Sequence, residues 1–373
     1  MEVRGRSRCR AFLLPAALPL LLALLWSAST TAAASKVVEL EISGPIGVAT
    51  ADYLSAGIEY AEDNGAELVI INIDTPGGLV KPMREIVQGI LGSSVPIAAF
   101  VTPAGARADS AGTYILLACH VAAMSPTTHL GAATPVPLMS SAPAKDDEDE
   151  QKERAADQKV MNDAVSYIRS LADRYGRNAD WAELAVTEAA TLTAAEALEQ
   201  NVIDMVAADR AELLKLVDGR DVEIAGAVRA LATSEVDVEY FEPNWRIRLL
   251  SVISNPEIVL LLGLIGLYGL MYEGWNPGAI VPGVVGAICL LLAAYGLQVL
   301  PVNYAGLALI LVGIALIVAE AFAPSFGALG VGGIAAFVFG SIIMFDSGIP
   351  GFGISIAFVV TVALVFAVLL IWL

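Results

Sequence analysis

The sequence contains few cysteines and histidines, the residues that form disulfides and many metal sites. Only three cysteines and two histidines occur among its 373 residues. Cys9 lies within the first ten residues, Cys289 lies in an apolar run, and Cys119 stands alone in the more polar part of the chain. These positions exclude a disulfide scaffold, and no Cys/His cluster has the spacing of a zinc site.

Basic residues are also scarce. The chain carries 21 Lys and Arg against 39 Asp and Glu, a net charge of −18. Because an acidic surface repels phosphate backbones, we exclude nucleic acid as a partner. Beyond residue 255 no Lys, Arg or His occurs, and the only charges are those of Glu257, Glu273, Glu320 and Asp346. A transporter is disfavoured because these acidic groups have no basic partner there.

Apolar residues are abundant instead. They make up 57% of the chain, and the mean hydropathy of +0.69 is too high for one soluble domain of this size. Four arginines precede the apolar run 11–26 and the small residues 32–34, a pattern typical of a signal peptide over residues 1–34. An uncleaved anchor is the alternative, although the run is short for one. The basic start predicts that the domain after it is extracytoplasmic.

The C-terminal third predicts a membrane domain. Residues 255–373 contain five apolar runs, so we expect a multi-pass protein of the cell membrane with four or five spans, the first run being short enough to be interfacial. The runs are 257–271, 278–297, 304–320, 329–345 and 354–373. Residues 236–254 mix aromatic residues with arginines, which is typical of a linker at the membrane interface.

Residues 35–235 alternate apolar β-rich runs with helical patterns. Strands are expected at 36–42, 67–73, 95–101, 121–124 and 129–133, and helices at 49–62, 80–91, 110–118 and 159–171. This alternation predicts one α/β domain with a largely buried sheet. The acidic stretch 137–157 predicts a solvated, mobile loop; a flap over a cleft is the alternative.

Ser110 is the candidate nucleophile, because it lies in a stretch of small residues that lets a substrate backbone approach. The predicted helix beginning at Ser110 would place its free N–H groups, such as that of Ala111, beside the serine. Gly78 follows a predicted strand and offers a second unshielded N–H, so these two donors could stabilise an oxyanion. A plain helix N-cap for Ser110 and a plain turn at Gly77–Gly78 are the structural alternatives.

A nucleophilic serine needs a base, and with two histidines in the chain a lysine is a credible one. Lys159 opens a helical pattern at the edge of an apolar stripe, where burial could keep it neutral. A solvated lysine is the alternative, and Asp163, one helical turn further on, would instead hold Lys159 charged. His120 and His129 are the rival bases, although His120 falls in an apolar run typical of a core.

Several segments resemble those of NfeD proteins, in the same order over nearly the whole chain after residue 34. They are 73–79, 105–113, 131–136, 159–171 and 177–183, and in the membrane region 276–283 and 320–327. The resemblance implies a ClpP/crotonase-like spiral domain followed by an all-α multi-span membrane domain. It also implies a Ser–Lys dyad of Ser110 and Lys159, with an oxyanion hole formed by the N–H groups of Gly78 and Ala111.

The same resemblance implies a membrane-anchored serine endopeptidase, a homo-oligomer that needs no cofactor or metal. Its expected substrates are hydrophobic, membrane-proximal segments of stomatin-like (SPFH) proteins. Two positions depart from the family pattern: many relatives have His where Thr134 stands, and Asp109 replaces a small residue before the nucleophile. These departures favour the alternative function, a non-catalytic membrane scaffold that organises an SPFH partner.

Overall fold

An α/β domain and a helical domain follow one another in the computed structural model, which describes residues 35–136, 147–224, 226–323, 325–346, 348 and 352–372. The signal peptide predicted over residues 1–34 lies outside the described residues. The strands are β1 (Ser35–Ser43), β2 (Leu68–Asp74), β3 (Ile97–Val101), β4 (Arg107–Asp109), β5 (Val121–Met124), β6 (His129–Gly131), β7 (Thr191–Thr193), β8 (Met205–Val206), β9 (Asp221–Ile224), β10 (Ala227–Ala230) and β11 (Val236–Tyr240).

The helices of the α/β domain are short except for one. They are α1 (Val48–Asp63), α2 (Val80–Gly92), α3 (Ala111–Ala118), α4 (Asp147–Arg174), α5 (Ala179–Thr187), α6 (Ala194–Glu199) and α7 (Arg210–Val217). A connecting helix, α8 (Trp245–Ile253), leads to the helical domain. That domain contains α9 (Pro256–Trp275), α10 (Ile280–Val299), α11 (Tyr304–Phe322), α12 (Ala328–Phe345) and α13 (Ile356–Trp372).

The main sheet has the strand order β11-β1-β2-β3-β5-β8, and every neighbouring pair in it is parallel. Strand β2 is apolar on both faces: Val69 and Ile71 belong to the core beneath α1 to α3, whereas Ile70 faces a second core that includes Leu213 of α7. A parallel sheet covered on both faces requires such a continuous apolar run. The structure therefore confirms the predicted ClpP-like α/β domain and the helical domain after it.

A small second sheet positions the functional region. Its order is β4-β6-β7, with β4 parallel to β6 and β7 antiparallel to it. Ala108 pairs with Leu130 and Asp109 with Gly131, and isolated bridges join Thr75 to Ala108 and Ile46 to Gly78. These pairings bring the ends of β2 and β4 together, directly before Ser110.

Two segments differ from the sequence-based expectation. Residues 236–240, expected in the linker, form β11 at the edge of the main sheet beside β1, because parallel pairing satisfies their backbone groups. Part of the expected acidic loop is helical, since α4 begins at Asp147. Acidic residues in the first turn are stabilised by the helix dipole, and Glu, Gln and Ala are good helix formers. Residues 137–146 lie outside the described residues.

In the helical domain, α9, α10 and α12 are long and apolar enough to cross a membrane. The apolar stretches of the other two helices, Tyr304–Glu320 and Ile356–Leu369, are shorter. Helix α8 connects this domain to the sheet: Ile247 is buried in the α/β core, while Trp245 is largely exposed. The first apolar run, which appeared short in the sequence, is a full 20-residue helix.

The helical domain contains a duplicated hairpin. Helix α9 packs on α10 as α11 packs on α12, and both contacts depend on glycine. A methyl group built on Gly266 would lie 2.9 Å from the Gly286 carbonyl oxygen, and one on Gly313 would lie 2.7 Å from that of Gly333. The interval of sequence from Gly266 to Gly313 equals that from Gly286 to Gly333. The same interval separates Glu273 from Glu320, which lie near the ends of α9 and α11. Close backbone approach of this kind is typical of helices packed in a membrane.

Candidate active site

Ser110 lies at the junction of β4 and α3, in a strained conformation. Its φ of 51° and ψ of −116° fall in a region that side chains rarely adopt, and its N–H donates to the Gly131 carbonyl oxygen at 2.8 Å. Although Ser110 occupies the N-cap position of α3, its hydroxyl accepts no hydrogen bond from the helix. The plain N-cap alternative therefore does not account for this serine.

The close approach of two turns explains the small residues around Ser110. A methyl group built on Gly77 would lie 2.6 Å from the Ser110 Cβ, and one built on Gly112 would lie 2.6 Å from the Thr75 Cγ2. Gly77 also has a φ of 112°, which only glycine adopts without strain. The two turns can approach this closely only because neither glycine carries a side chain.

Gly78 is held by a backbone bridge to Ile46. In its parallel bridge with Ile46, the Ile46 N–H donates to the Gly77 oxygen at 2.8 Å, and the Ile46 oxygen accepts from the Leu79 N–H at 2.9 Å. This pattern uses the groups on either side of Gly78, so its own N–H points away from Ile46. Ala111 is the first residue of α3, and within the described residues its N–H has no acceptor.

A solvent-open cleft brings these groups together. Gly78, Ser110 and Ala111 all line it, as the sequence predicted, and most of the remaining wall is apolar, including Leu79 and Val136. The cleft thus places a hydroxyl and two backbone N–H donors on a largely hydrophobic surface. This arrangement suits a nucleophile, an oxyanion and an apolar peptide.

Lys159 is close to the cleft in sequence but does not line it in the structure. It lies on α4 with an exposed side chain, whereas the next residue, Val160, and Asp163 and Ala164 further along the helix, do line the cleft. The Asp163 carboxylate is paired with Arg84 of α2. The carboxylate that could have held Lys159 charged is therefore bound to a different cation.

Three residues of the cleft were not anticipated from the sequence: Arg84, Tyr114 and Tyr167. The Arg84 guanidinium lies 4.5 Å from the centre of the Tyr167 ring, which stacks on Tyr114 at 6.0 Å. Burial raises the pKa of both phenols, so they remain neutral at physiological pH. These residues come from α2, α3 and α4, and no local motif marks them, so only the packing of the helices reveals the cluster.

His120 lies at the wrong end of α3 to act on Ser110. It follows the C-terminus of this eight-residue helix, which is about 12 Å long, and its Nδ1 accepts from the Ile97 N–H at 3.2 Å. Burial, reinforced by Arg174 and Arg177, lowers its pKa to about 4. His120 is therefore a neutral core residue.

His129 is directed toward Asp109. Its Nε2 lies 3.5 Å from an Asp109 carboxylate oxygen, and Arg107 approaches the same carboxylate at 3.5 Å. Burial raises the pKa of Asp109, although His129 and Arg107 oppose the rise. Neither His129 nor Asp109 is among the described residues that line the cleft. Thr134 does line it, and its hydroxyl donates to the Val186 oxygen at 2.7 Å.

Comparisons with known proteins agree with this geometry. Residues 36–227 match the family model of the NfeD1b N-terminal domain, and residues 257–373 match that of the NfeD integral membrane domain. Membrane-bound protease PH1510 of Pyrococcus horikoshii is 38% identical over 330 residues, covering 88% of this chain and 73% of that protein.

Solved structures resemble the α/β domain. A lysine-to-alanine mutant of the 1510-N membrane-bound stomatin-specific protease, in complex with a substrate peptide, is 37% identical with a TM-score of 0.52, over 59% of this chain and 97% of that one. A serine-to-alanine mutant of the same protease is also 37% identical, with a TM-score of 0.51, over 57% of this chain and 100% of that one. Since the matches cover both domains in order, the chain belongs to the NfeD family of membrane proteins.

Proposed function

We propose that this chain is a membrane-anchored serine endopeptidase with Ser110 as nucleophile, Lys159 as general base, and the N–H groups of Gly78 and Ala111 as the oxyanion hole. Membership of a family that contains membrane-bound serine proteases makes the chain a hydrolase of that type. The observation that supports the residue assignment is the strained Ser110, whose hydroxyl caps no helix and which lines the same cleft as Gly78 and Ala111.

The steps follow the logic of a serine hydrolase that uses a lysine base. Lys159 accepts the Ser110 proton as Ser110 Oγ forms a bond to the scissile carbonyl carbon. The resulting oxyanion receives hydrogen bonds from Gly78 and Ala111. Lys159 then donates the proton to the leaving amine as the peptide bond breaks. Water, activated by the same lysine, hydrolyses the acyl-enzyme and releases Ser110.

The position of Lys159 requires α4 to shift when substrate binds. The described side chains between residues 151 and 160 are exposed, so a rotation of this part of the helix disrupts no packed core. Catalytic hydrogen bonds are often long in a free enzyme and shorten in the substrate complex. The related 1510-N protease was solved as a lysine-to-alanine mutant in complex with a substrate peptide, which supports a catalytic lysine in this fold.

The proposed substrates are hydrophobic, membrane-proximal segments of a stomatin-like protein. The apolar wall of the cleft favours such peptides, and the related protease is described as stomatin-specific. In this proposal the helical domain lies in the lipid bilayer, the α/β domain is extracytoplasmic, and the enzyme is a homo-oligomer. An extracytoplasmic position follows from the basic N-terminus.

Hydrolysis of stomatin-like C-terminal peptides by the full chain in detergent tests this function. Ser110→Ala and Lys159→Ala should each lower kcat by at least 10³-fold, whereas Lys215→Ala on the distant helix α7 should leave it unchanged. Activity kept in Lys159→Ala but lost in His129→Gln would transfer the base role to histidine. A folded wild-type protein that cleaves none of these peptides would favour the scaffold, for which the exposed position of Lys159 is the supporting observation.

A further inference from the structure

The helical domain approaches the cleft through Gly348 and Phe352, which follow α12. A methyl group built on Gly348 would lie 3.5 Å from the Cγ1 of Val136, which lines the cleft. A methyl group built on Gly47 would lie 3.6 Å from the Phe352 Cζ, and Gly47 follows Ile46, the bridge partner of the cleft residue Gly78. The membrane domain therefore borders the candidate active site.

Phe352 is firmly held on the membrane-domain side. It is 6% exposed and belongs to the buried cluster of the helical domain, together with Phe345 of α12 and Val359 of α13. Leu79, a cleft residue, packs against this same cluster. The α12–α13 connection is also joined to the start of α9, since the Ser355 N–H donates to a Glu257 carboxylate oxygen at 3.4 Å. The ring therefore projects from a fixed base.

Phe352 supports the backbone that presents the Gly78 N–H. The ring lies beside Gly47, within van der Waals distance of a methyl group built there, and Ile46 before it is hydrogen-bonded to the residues on both sides of Gly78. Leu79 packs against the same cluster as Phe352, which supports the other bridged segment. A methyl group on Gly78 would lie 2.2 Å from the Ile46 oxygen, so the two segments are already at their closest approach. A displacement of one segment therefore displaces the other.

We propose that Phe352 is a positioning residue, which holds the paired segments Ile46–Gly47 and Gly78–Leu79 so that the Gly78 N–H faces Ser110. The inference rests on the proposed function, because it assigns Gly78 to the oxyanion hole. Its consequence is that turnover depends on the docked membrane domain. Removal of the ring leaves a cavity into which these paired segments relax. Peptide binding, which uses the rest of the cleft wall, changes little.

The test compares Phe352→Ala and Phe352→Leu with Phe337→Ala in the full chain, reconstituted in lipid nanodiscs. Phe337 is a matched control because it is equally buried but lies in the middle of α12, away from the cleft. In Phe352→Ala, kcat should fall about ten-fold while KM changes less than about two-fold, because a misplaced oxyanion donor impairs the transition state. Phe352→Leu should recover most of the turnover.

Hydrogen exchange gives a second readout that does not need activity. The Leu79 N–H donates to the Ile46 oxygen, so its exchange reports on the pairing of these two segments. It should exchange at least about ten-fold faster in Phe352→Ala than in wild type or Phe337→Ala, while the β2 amides stay protected. Equal Leu79 exchange in Phe352→Ala and Phe337→Ala, or an effect on KM alone, would overturn the proposal. A wild-type protein without hydrolysis would refute the proposed function, and Leu79 exchange would still decide the role of Phe352.

Discussion

Replacement of Gly77 by alanine tests how closely the two turns of the site must approach. The substitution has two consequences. Alanine must adopt a φ of 112°, and its methyl group must lie 2.6 Å from the Ser110 Cβ, which is closer than carbon atoms approach in folded proteins. The first consequence affects stability, at a cost of about 1–3 kcal/mol. The second forces Ser110 and the Gly77–Gly78 turn apart.

Gly105 provides the matched control. Its φ is 87°, but a methyl group built on it meets nothing within 4 Å, so Gly105→Ala carries the backbone strain without the collision. Both variants should lose stability in thermal unfolding, and Gly77→Ala should lose more because it adds the collision to the backbone strain. A displacement of Ser110 by about 1 Å costs roughly 10²-fold in rate. We therefore expect kcat/KM to fall about 100-fold in Gly77→Ala and to stay within about three-fold of wild type in Gly105→Ala.

The assay follows the rate at which a fluorophosphonate labels the full chain in detergent, together with peptide hydrolysis. Thermal unfolding of the same samples separates lost folding from lost reactivity. If Gly77→Ala reacted as fast as Gly105→Ala, the close contact between the Gly77 turn and Ser110 would not be required for reactivity. The geometric argument for the site would then be refuted.

Three further predictions concern groups around the cleft and core. The pKa of His120 is about 4 in the folded state against an ordinary 6.5, so the unfolded state binds more protons between these two pH values. The free energy of unfolding should therefore fall by about 3 kcal/mol from pH 6.5 to 4. Denaturant titrations of His120→Gln should lack this loss. Arg84→Ala should change the free energy of unfolding by less than about 1 kcal/mol, because the ion pair of Arg84 with Asp163 is partly exposed. The same substitution should raise KM, because it exposes the Tyr167 ring. In steady-state assays, Arg84→Lys should not restore peptide binding. The Arg177 side chain is 1% exposed and donates to Asp204 and to three backbone carbonyls. Chemical denaturation of Arg177→Met should therefore show a loss of about 3–5 kcal/mol in the free energy of unfolding.

Local patterns predicted much of the fold. The runs that became β3 and β5 are apolar over their whole length, and β2 begins with four apolar residues, as a doubly covered parallel sheet requires. The small residues around Ser110 marked a turn between strand and helix. Ser110, Gly78 and Ala111 share one cleft because each follows directly from such a local element.

The features that the sequence did not reveal depend on contacts between residues that are far apart in the chain. The β11 segment resembles a linker until its pairing with β1 is known, and Arg84 becomes part of the cleft only when α2 packs beside α4. The exposed position of Lys159 is likewise set by how α4 lies on the domain, which a helical pattern cannot specify. The contact of Phe352 with Gly47 joins two domains far apart in sequence.

The central claim is that Ser110 is a nucleophile activated by Lys159. Intact-mass spectrometry of the full chain after fluorophosphonate treatment tests it most directly. We predict one adduct located on Ser110 in the wild type and in Lys215→Ala, no adduct in Ser110→Ala, and labelling at least about 100-fold slower in Lys159→Ala. An adduct on another serine, or undiminished labelling in Lys159→Ala, would contradict the account.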